Sequence, residues 1–501
     1  MASGHERLRG GYAMSRVEHA LDEVFHPRSI AVVGASPRGP RQGIGAYVPA
    51  MVALGFHADH ALYPINRGAE AVDGLPAYTS LSECPGPVDH VISQVPSVAV
   101  PAVVEECVRA KVRSVQFFTA GFSETGDASL AAVEREFVGR LRNAGIRVIG
   151  PNCLGMYVPA ERVSFMPGFP AEPGNVFVLS QSGSNAAGII RGLAPRGVRF
   201  SKVISYGNGS DVSGPELLDY ALADPQTEVV AAYLEGMMEG RAFFEALRRC
   251  ARSKPVILLK GGAYPDGARA ANSHTGALAG SIEVFDAMCR QTGALRARSM
   301  DELHDLIVAV GTRLPRVTGS AVALAGGPGG FAVLASDALG DAGLRVPELP
   351  AATQDALHEI VPVAGASVRN PIDAQLGDEA WRRVYGMLGG APGIDVVFGT
   401  SLGIPTGAFG VPVLEGSELE VQAAAAAQAL GALQRDTGVP FVGIQRNVLN
   451  LGQGDGGFAE FVHEQGVALF NSVERAARAT SAMLEWRKQR AGLPDLFDSR
   501  A

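Results

Sequence analysis

Ser29-Ile-Ala-Val-Val-Gly34 is a short apolar run that stops on a glycine. Unbroken hydrophobicity, rather than alternation, is the pattern of a strand covered on both faces, as in a parallel sheet. The turn that follows, Gly34-Ala-Ser-Pro-Arg-Gly39, is built of small residues, so the strand feeds a helix through a tight loop. It departs from the G-x-G-x-x-G dinucleotide fingerprint, because Ser36 stands where the second glycine belongs. The next apolar run, Ala61-Leu-Tyr-Pro-Ile-Asn66, ends on Asn66-Arg67, where an acid would hold the ribose hydroxyls of NAD. A nucleotide-like phosphate ligand fits here and NAD is disfavoured; the alternative is an empty, degenerate dinucleotide fold. Arg38, Arg41 and Arg67 are the cations placed to meet phosphates.

Outward from this run the pattern repeats. Asp89 to Pro96, Val112 to Phe118 and Ile146 to Gly150 read as further strands, separated by helical segments rich in Ala, Val and Glu. Such alternation predicts an α/β protein with doubly wound parallel sheets, whose ligands sit at the carboxyl ends of the strands. A second unit opens at Gly174-Asn-Val-Phe-Val-Leu-Ser180 and runs straight into Gln181-Ser-Gly-Ser-Asn185. That turn suits the phosphate-receiving start of a helix, with bare N–H groups and the positive end of the dipole. It is a poor nucleophile elbow, because G-x-S-x-G needs a glycine two residues before Ser182. Phe200 to Ser205, Val229 to Leu234 and Pro255 to Leu259 are the next strands, and Ser213-Gly-Pro-Glu216 has the spacing of a capping box. A third unit runs from about Gly319, with strands at Ala321 to Ala325, Asp395 to Gly399 and Pro440 to Ile444 and a helix at Val421 to Leu433. Its Gly326 to Gly330 turn and Asn370-Pro-Ile-Asp373 read as structural or as subunit contacts.

The chemistry concentrates in Ala271-Asn-Ser-His-Thr-Gly-Ala-Leu-Ala-Gly280, entered through Lys260-Gly-Gly262. Small residues surround His274 and leave room for a phosphate, so the imidazole is a candidate phosphate-accepting nucleophile. The bland alternative is one more surface or core histidine among ten. Tyr233-Leu-Glu-Gly236 puts Glu235 at a strand exit, where a carboxylate can hold an imidazole in one tautomer.

Composition bounds the rest. The 501 residues suggest about three domains at ~150 residues each. A net charge of −8 with no basic stripe disfavours nucleic acid and anionic membranes. No apolar run reaches the ~18 residues of a membrane span. The five cysteines, Cys84, Cys107, Cys153, Cys250 and Cys289, are scattered without a CxxC. That reads as a reducing cytoplasm, with no disulfide framework and no zinc site.

Taken together, in order along the chain, Ser29 to Arg38, Tyr63-Pro-Ile-Asn66, Gly150-Pro-Asn-Cys-Leu-Gly155, Leu179-Ser-Gln-Ser-Gly183, Asp224 to Glu228, Tyr233 to Gly236, Ser273 to Gly280 and Ala325 to Gly329 are similar to the motifs of one family. The chain resembles the alpha subunit, or alpha-type half, of the NDP-forming acyl-CoA synthetases, relatives of succinyl-CoA synthetase that include ADP-forming acetyl-CoA synthetases. The resemblance implies a Rossmann-like CoA-binding domain over 21–160 and two flavodoxin-like doubly wound domains over 161–315 and 316–490. A flexible leader over 1–20 and a tail over 491–501 are expected to flank them. It implies reversible conversion of a carboxylate, coenzyme A and ATP to acyl-CoA, ADP and phosphate through an acyl phosphate and a phosphohistidine.

On that resemblance His274 is the phosphorylated residue and Glu235 steadies it. Gln181, Ser182, Gly183 and Ser184 receive the phosphate and lie near the acyl group, and Asn152 and Cys153 line the acyl site. Gly34, Ser36, Pro37, Arg38, Asn66, Val95, Pro96, Ala120 and Gly121 belong to the coenzyme A site. Ser184-Asn185 replaces the family's usual apolar pair, so acetate is not to be assumed as the acid. No segment of the chain is expected to be an ATP-grasp domain. A beta-type ATP-grasp partner would therefore bind ATP or GTP with Mg2+, in an oligomer in the cytoplasm. The alternative is a coenzyme A-binding regulatory or scaffold subunit without chemistry of its own; an NAD-dependent dehydrogenase ranks behind both.

Overall fold

The protein is described by a computed structural model that covers residues 19–37, 45–267, 269, 281–327, 329–361, 366–404, 414–445, 457–493 and 496. Arg38, Arg41 and His274 lie outside the described residues. The first apolar run is strand β1 (Ser29–Val33), buried along its whole length. It is flanked by β2 (Ala61–Ile65) and, beyond a short antiparallel hairpin of β3 (Ala71–Val72) and β4 (Leu75–Pro76), by β5 (His90–Ser93). With β6 (Ser114–Phe117) and β7 (Arg147–Ile149) the order is β2-β1-β5-β6-β7, parallel throughout. The chain reverses its direction of growth between β1 and β5. Ligands of doubly wound sheets bind at such a switch point.

The second sheet orders as β13-β12-β11-β9-β10-β8. Its strands are β8 (Gly155–Tyr157), β9 (Val176–Ser180), β10 (Phe200–Ser205), β11 (Val229–Leu234), β12 (Val256–Lys260) and β13 (Leu295–Ala297). β8 is the antiparallel edge, pairing Met156 with Ile204, and the rest is parallel. The third sheet is β14 (Val322–Ala325), β15 (Val396–Gly399), β16 (Phe441–Ile444) and β17 (Ala468–Phe470), also parallel. Isolated bridges from Ala321 to Arg345 and from Ala325 to Ile372 line its far edge, giving β14 neighbours on both sides. Among the described residues no helix is long and apolar enough to cross a membrane.

The helices are set by caps and apolar faces. Asp127 accepts from the N–H groups of Ser129 and Leu130 to start the helix Ala128–Asn143. The helix Gly214–Ala223 begins after Ser213, but no side-chain cap bond forms, so the expected capping box is not made. Glu216 instead takes a forked pair of bonds from Arg147, at 2.8 and 2.7 Å, across to the end of the first sheet. A bidentate Arg–carboxylate pair outweighs a bond to one backbone N–H.

The three sheets share one continuous core, running from Leu21 through Phe177 and Leu258 to Trp486. The third unit is fastened to the second by Arg475, whose Nε lies 2.6 Å from Asp305, and by Trp486 Nε1, which donates to Gly293 O at 2.8 Å. Asn370, in the segment read as structural, accepts from Leu324 N–H at 2.9 Å and donates to the carbonyls of Val322 and Pro347.

Candidate functional site

The carboxyl ends of the first sheet form a row of turns. Gly34 follows β1 at φ +91°, and a Cβ there would stand 3.3 Å from the Gln94 carbonyl carbon. Only glycine fits that approach without strain. Asn66, after β2, donates from Nδ2 to Ala35 O at 2.5 Å and accepts from Gly68 N–H at 2.8 Å, tying two turns together. After β5, Val95 gives its carbonyl to Thr119 Oγ1 at 2.7 Å, which joins the Val95-Pro96 turn to the one after β6. There Ala120-Gly121 is held by Glu124, whose Oε1 accepts the Gly121 N–H at 2.5 Å. Ser36, Pro96, Arg67 and Ala120 are exposed along this rim and Pro37 is half-buried. The described residues among those assigned to coenzyme A thus fall on one edge, with small side chains and open backbone where a pyrophosphate can approach.

A second set of turns meets the first. Asn152 has φ +58° and donates its N–H to Thr119 O at 2.9 Å. The 206–212 loop runs alongside, with Asn208 N–H on Pro151 O at 3.0 Å and Ser210 N–H on Gly150 O at 3.2 Å. Gly207 must be glycine, since a Cβ would lie 2.2 Å from Pro151 O. Tyr206 N–H in turn bonds Ser180 O at 3.0 Å, and Gln181 N–H bonds Tyr233 O at 3.1 Å. Backbone bonds therefore run from β7 of the first sheet to β9 and β11 at the centre of the second.

Cys153 sits beneath this junction. Its thiol is buried, donates to Phe117 O at 3.4 Å, and is pushed up to about 12 by burial. It is a packing group under the Asn152 turn and is not an activated nucleophile.

At the end of β9, Ser182 caps the helix Gly183–Leu193, its Oγ accepting from Asn185 N–H at 3.3 Å. Ser184 Oγ lies 3.1 Å from Ser182 Oγ. The first-turn N–H groups of that helix face the carboxyl edge of the sheet without intrahelical partners. Gly183 has no room for a side chain, because a Cβ would come within 2.6 Å of Leu154 Cγ. Gln181, almost fully buried, turns its Oε1 to the N–H groups of Glu235 and Gly236, at 2.5 and 3.0 Å. The structure thus brings Gln181, Ser182, Gly183, Ser184 and Glu235 together at the ends of adjacent strands.

Two further groups stand around Glu235. Burial and then the Glu235 carboxylate push the Tyr233 phenol up to about 12, while the Asn185 side chain pulls it down. Lys260, ending β12, reaches Glu235 O at 3.3 Å. Sequence reasoning singled out neither for a role. The available signals were a tyrosine two residues before the strand-end acid and a lysine closing an otherwise apolar strand.

The family model of a CoA binding domain matches residues 28–159, and that of the succinyl-CoA ligase like flavodoxin domain matches residues 173–310. The alpha subunit of ADP-forming acetate–CoA ligase II from Pyrococcus furiosus is 36% identical over 388 residues, covering 77% of this chain and 83% of that one. The ADP-forming 4-hydroxybutyrate–CoA ligase of Nitrosopumilus maritimus is 32% identical over 370 residues, which are 73% of this chain and 52% of the relative, so the chain spans about half of that longer protein. Among solved structures, acetyl-coenzyme A synthetase 1 of Ca. Korarchaeum cryptofilum, in complex with phosphate and ADP, superposes with a TM-score of 0.73 at 29% identity, covering 96% of this chain and 99% of that chain. A crystal structure from Pyrococcus horikoshii OT3 gives a TM-score of 0.73 at 30% identity, covering 94% and 99%.

Proposed function

Because the chain belongs to the family of ADP-forming acid–CoA ligase alpha subunits, we propose that it forms acyl-CoA by way of a phosphohistidine at His274, steadied by Glu235. The observation that carries this reading is the Glu235 corner: a strand-end carboxylate with its N–H anchored by Gln181, beside the open N-terminus of the helix Gly183–Leu193.

The chemistry balances in the synthetic direction as follows. A carboxylate oxygen of the acid bonds phosphorus as the His274 N–P bond breaks, giving an acyl phosphate. The coenzyme A thiolate then attacks the acyl carbon, the C–O bond to phosphate breaks, and inorganic phosphate leaves with the electron pair. In this scheme the Gly183–Leu193 helix start binds the phosphoryl oxygens through N–H groups and dipole. Glu235 accepts the imidazole N–H and favours its charged form. The turns at Gly34, Ser36, Pro37, Asn66, Val95, Pro96, Ala120 and Gly121 hold coenzyme A, and Asn152 borders the acyl group. An ATP-grasp beta-type subunit supplies ATP or GTP with Mg2+ and charges His274. The polar Ser184-Asn185 pair at the helix start suits an acid with a polar group better than acetate.

Radiolabelled ATP with the partner subunit tests the reading. The wild type takes up acid-labile label, His274→Asn takes up none, and Glu235→Gln takes it up roughly 100-fold more slowly. Wild-type acyl-CoA synthesis by His274→Asn would overturn the phosphohistidine route. A chain that binds coenzyme A yet neither takes label nor makes acyl-CoA with any partner would instead be a regulatory or scaffold subunit.

A further inference from the structure

Both ends of the Glu235 backbone are held by buried side chains. Gln181 accepts its N–H at 2.5 Å, and Lys260 Nζ donates to its carbonyl at 3.3 Å. The same ammonium donates to Gly261 O at 3.0 Å. Lys260 is 5% exposed, and the ion pairs among the described residues do not include it. An ammonium taken out of water and compensated by peptide dipoles is costly to the fold. Its surroundings nevertheless fit it closely: Gly261 N–H bonds Leu234 O at 2.8 Å, and a Cβ on Gly261 would lie 2.5 Å from Tyr233 Oη and 3.5 Å from Glu235 Cγ. The chain that leaves β12 toward residue 274 therefore passes against Glu235 and is fastened there.

We propose that Lys260 is a positioning residue of the reaction: its ammonium clamps the carbonyl of Glu235 to that of Gly261, fixes the Glu235 carboxylate relative to the stem of the His274 segment, and places a fixed positive charge beside the phosphoryl group. The proposal rests on the phosphohistidine reading. A clamp made to carbonyls leaves the positive charge without a carboxylate bonded to it, so an incoming dianion meets an attractive field in a site of low dielectric.

The charged and titratable groups around Lys260 are Arg296 of β13, itself paired with Asp286 at 2.9 Å, and Glu235 and Tyr233 at the end of β11. Burial and then the Arg296 charge pull the Lys260 ammonium below the ordinary lysine range, against an upward pull from Glu235. The proton is therefore lost at lower pH than from a free lysine, and the rate falls as pH rises through that depressed value.

The test measures single-turnover labelling of His274 and acyl-CoA formation from pH 7 to 10, with the ATP-grasp partner present, for wild type, Lys260→Met and Lys260→Arg. Lys260→Met slows both steps roughly 10- to 100-fold, as removal of a supporting hydrogen-bond partner typically does, with coenzyme A affinity unchanged. Lys260→Arg recovers part of the rate and moves the alkaline limb upward by a pH unit or more, because a guanidinium keeps its charge. Wild-type rates in Lys260→Met overturn the proposal, as does an alkaline limb in Lys260→Arg that coincides with the wild type's. Should Lys260→Met melt at the assay temperature, the Lys260→Arg profile decides alone. A wild type that takes no label removes the phosphohistidine reading, which is a different failure from a wild type and a Lys260→Met variant that label equally.

Discussion

Two lysines are buried in the second sheet, and they are compensated in opposite ways. Lys202, within β10 and 1% exposed, puts Nζ 2.7 Å from Asp224 Oδ2 and 5.5 Å from the centre of the Tyr220 ring. Asp224 in turn accepts from Thr227 Oγ1 at 2.7 Å and Gln226 N–H at 3.2 Å. The Lys202 ammonium and the Asp224 carboxylate thus answer each other within the protein. Lys260, at the carboxyl end of β12, meets carbonyl oxygens instead. A cation neutralised by a carboxylate belongs to the fold. One held by dipoles at the ligand edge of a sheet keeps a field for an anion that arrives from outside.

Lys202→Met gives the largest expected effect on stability and should leave the chemistry alone. Removing one partner of a buried pair strands Asp224 and costs about 3–5 kcal/mol. The melting temperature should drop by roughly 10 °C, while the rate per folded molecule stays at the wild-type level. Adding Asp224→Asn should recover most of the loss, because the stranded charge is then gone. Lys260→Met reverses the pattern: a small change in melting and a large loss of rate. If both variants lost stability and rate in the same proportion, the distinction between the two lysines would collapse.

A packing change at the same edge sharpens the comparison by leaving charge out of it. Gly183→Ala brings a methyl within 2.6 Å of Leu154 Cγ. Overpacking of this kind costs about 1–3 kcal/mol and shifts the start of the helix by a fraction of an ångström. Stability and phosphoryl transfer should fall together, and Gly183→Ala with Leu154→Ala should restore the helix position more than the stability. A Gly183→Ala variant with native melting and native rate would show that the approach of the helix start to the Asn152 turn is not tight.

Much of this was legible in the sequence, for local reasons. β1, β9 and β12 announce themselves as unbroken apolar runs, because both faces of each are covered. Glu235 is visible as an acid at a strand exit beside a glycine. β8, β13 and β17 do not stand out in the sequence: each is only three residues long and, unlike β7, does not sit in a longer apolar run that ends on glycine, and β13 carries Arg296 in its middle. The Ser213–Glu216 spacing signals a capping box that does not form, because the competing partner of Glu216, Arg147, comes from another sheet. Lys260 looked like the opening of a glycine turn. Which carbonyls its ammonium reaches follows from the pairing of β11 with β12, where Leu234 faces Lys260, and no local pattern reports a pairing between distant segments.

The interface between the second and third sheets offers the smallest effect and a third kind of balance. Asp305 takes both Arg475, at 2.6 Å, and Arg196, at 3.4 Å, so one carboxylate faces two cations. His304 and His463 stand beside them, each pushed down to about 4, first by burial and then by the Arg196 charge. Arg475 adds to this at His304 against a counter-pull from Asp301, and Arg199, paired with Glu460, adds to it at His463. Both histidines are neutral in the folded chain at neutral pH. In the unfolded chain each titrates near ~6.5. Between about 6.5 and about 4 the unfolded state therefore binds more protons, and stability falls as the pH falls through that window. Melting at pH 5 should lie roughly 5 °C below melting at pH 7.5, and His463→Gln should remove about half of that difference. A melting temperature that does not move between those pH values would mean that Asp301 and Asp305 already accommodate two imidazolium charges, and that this interface resembles the balanced Lys202 corner rather than an arginine-rich one.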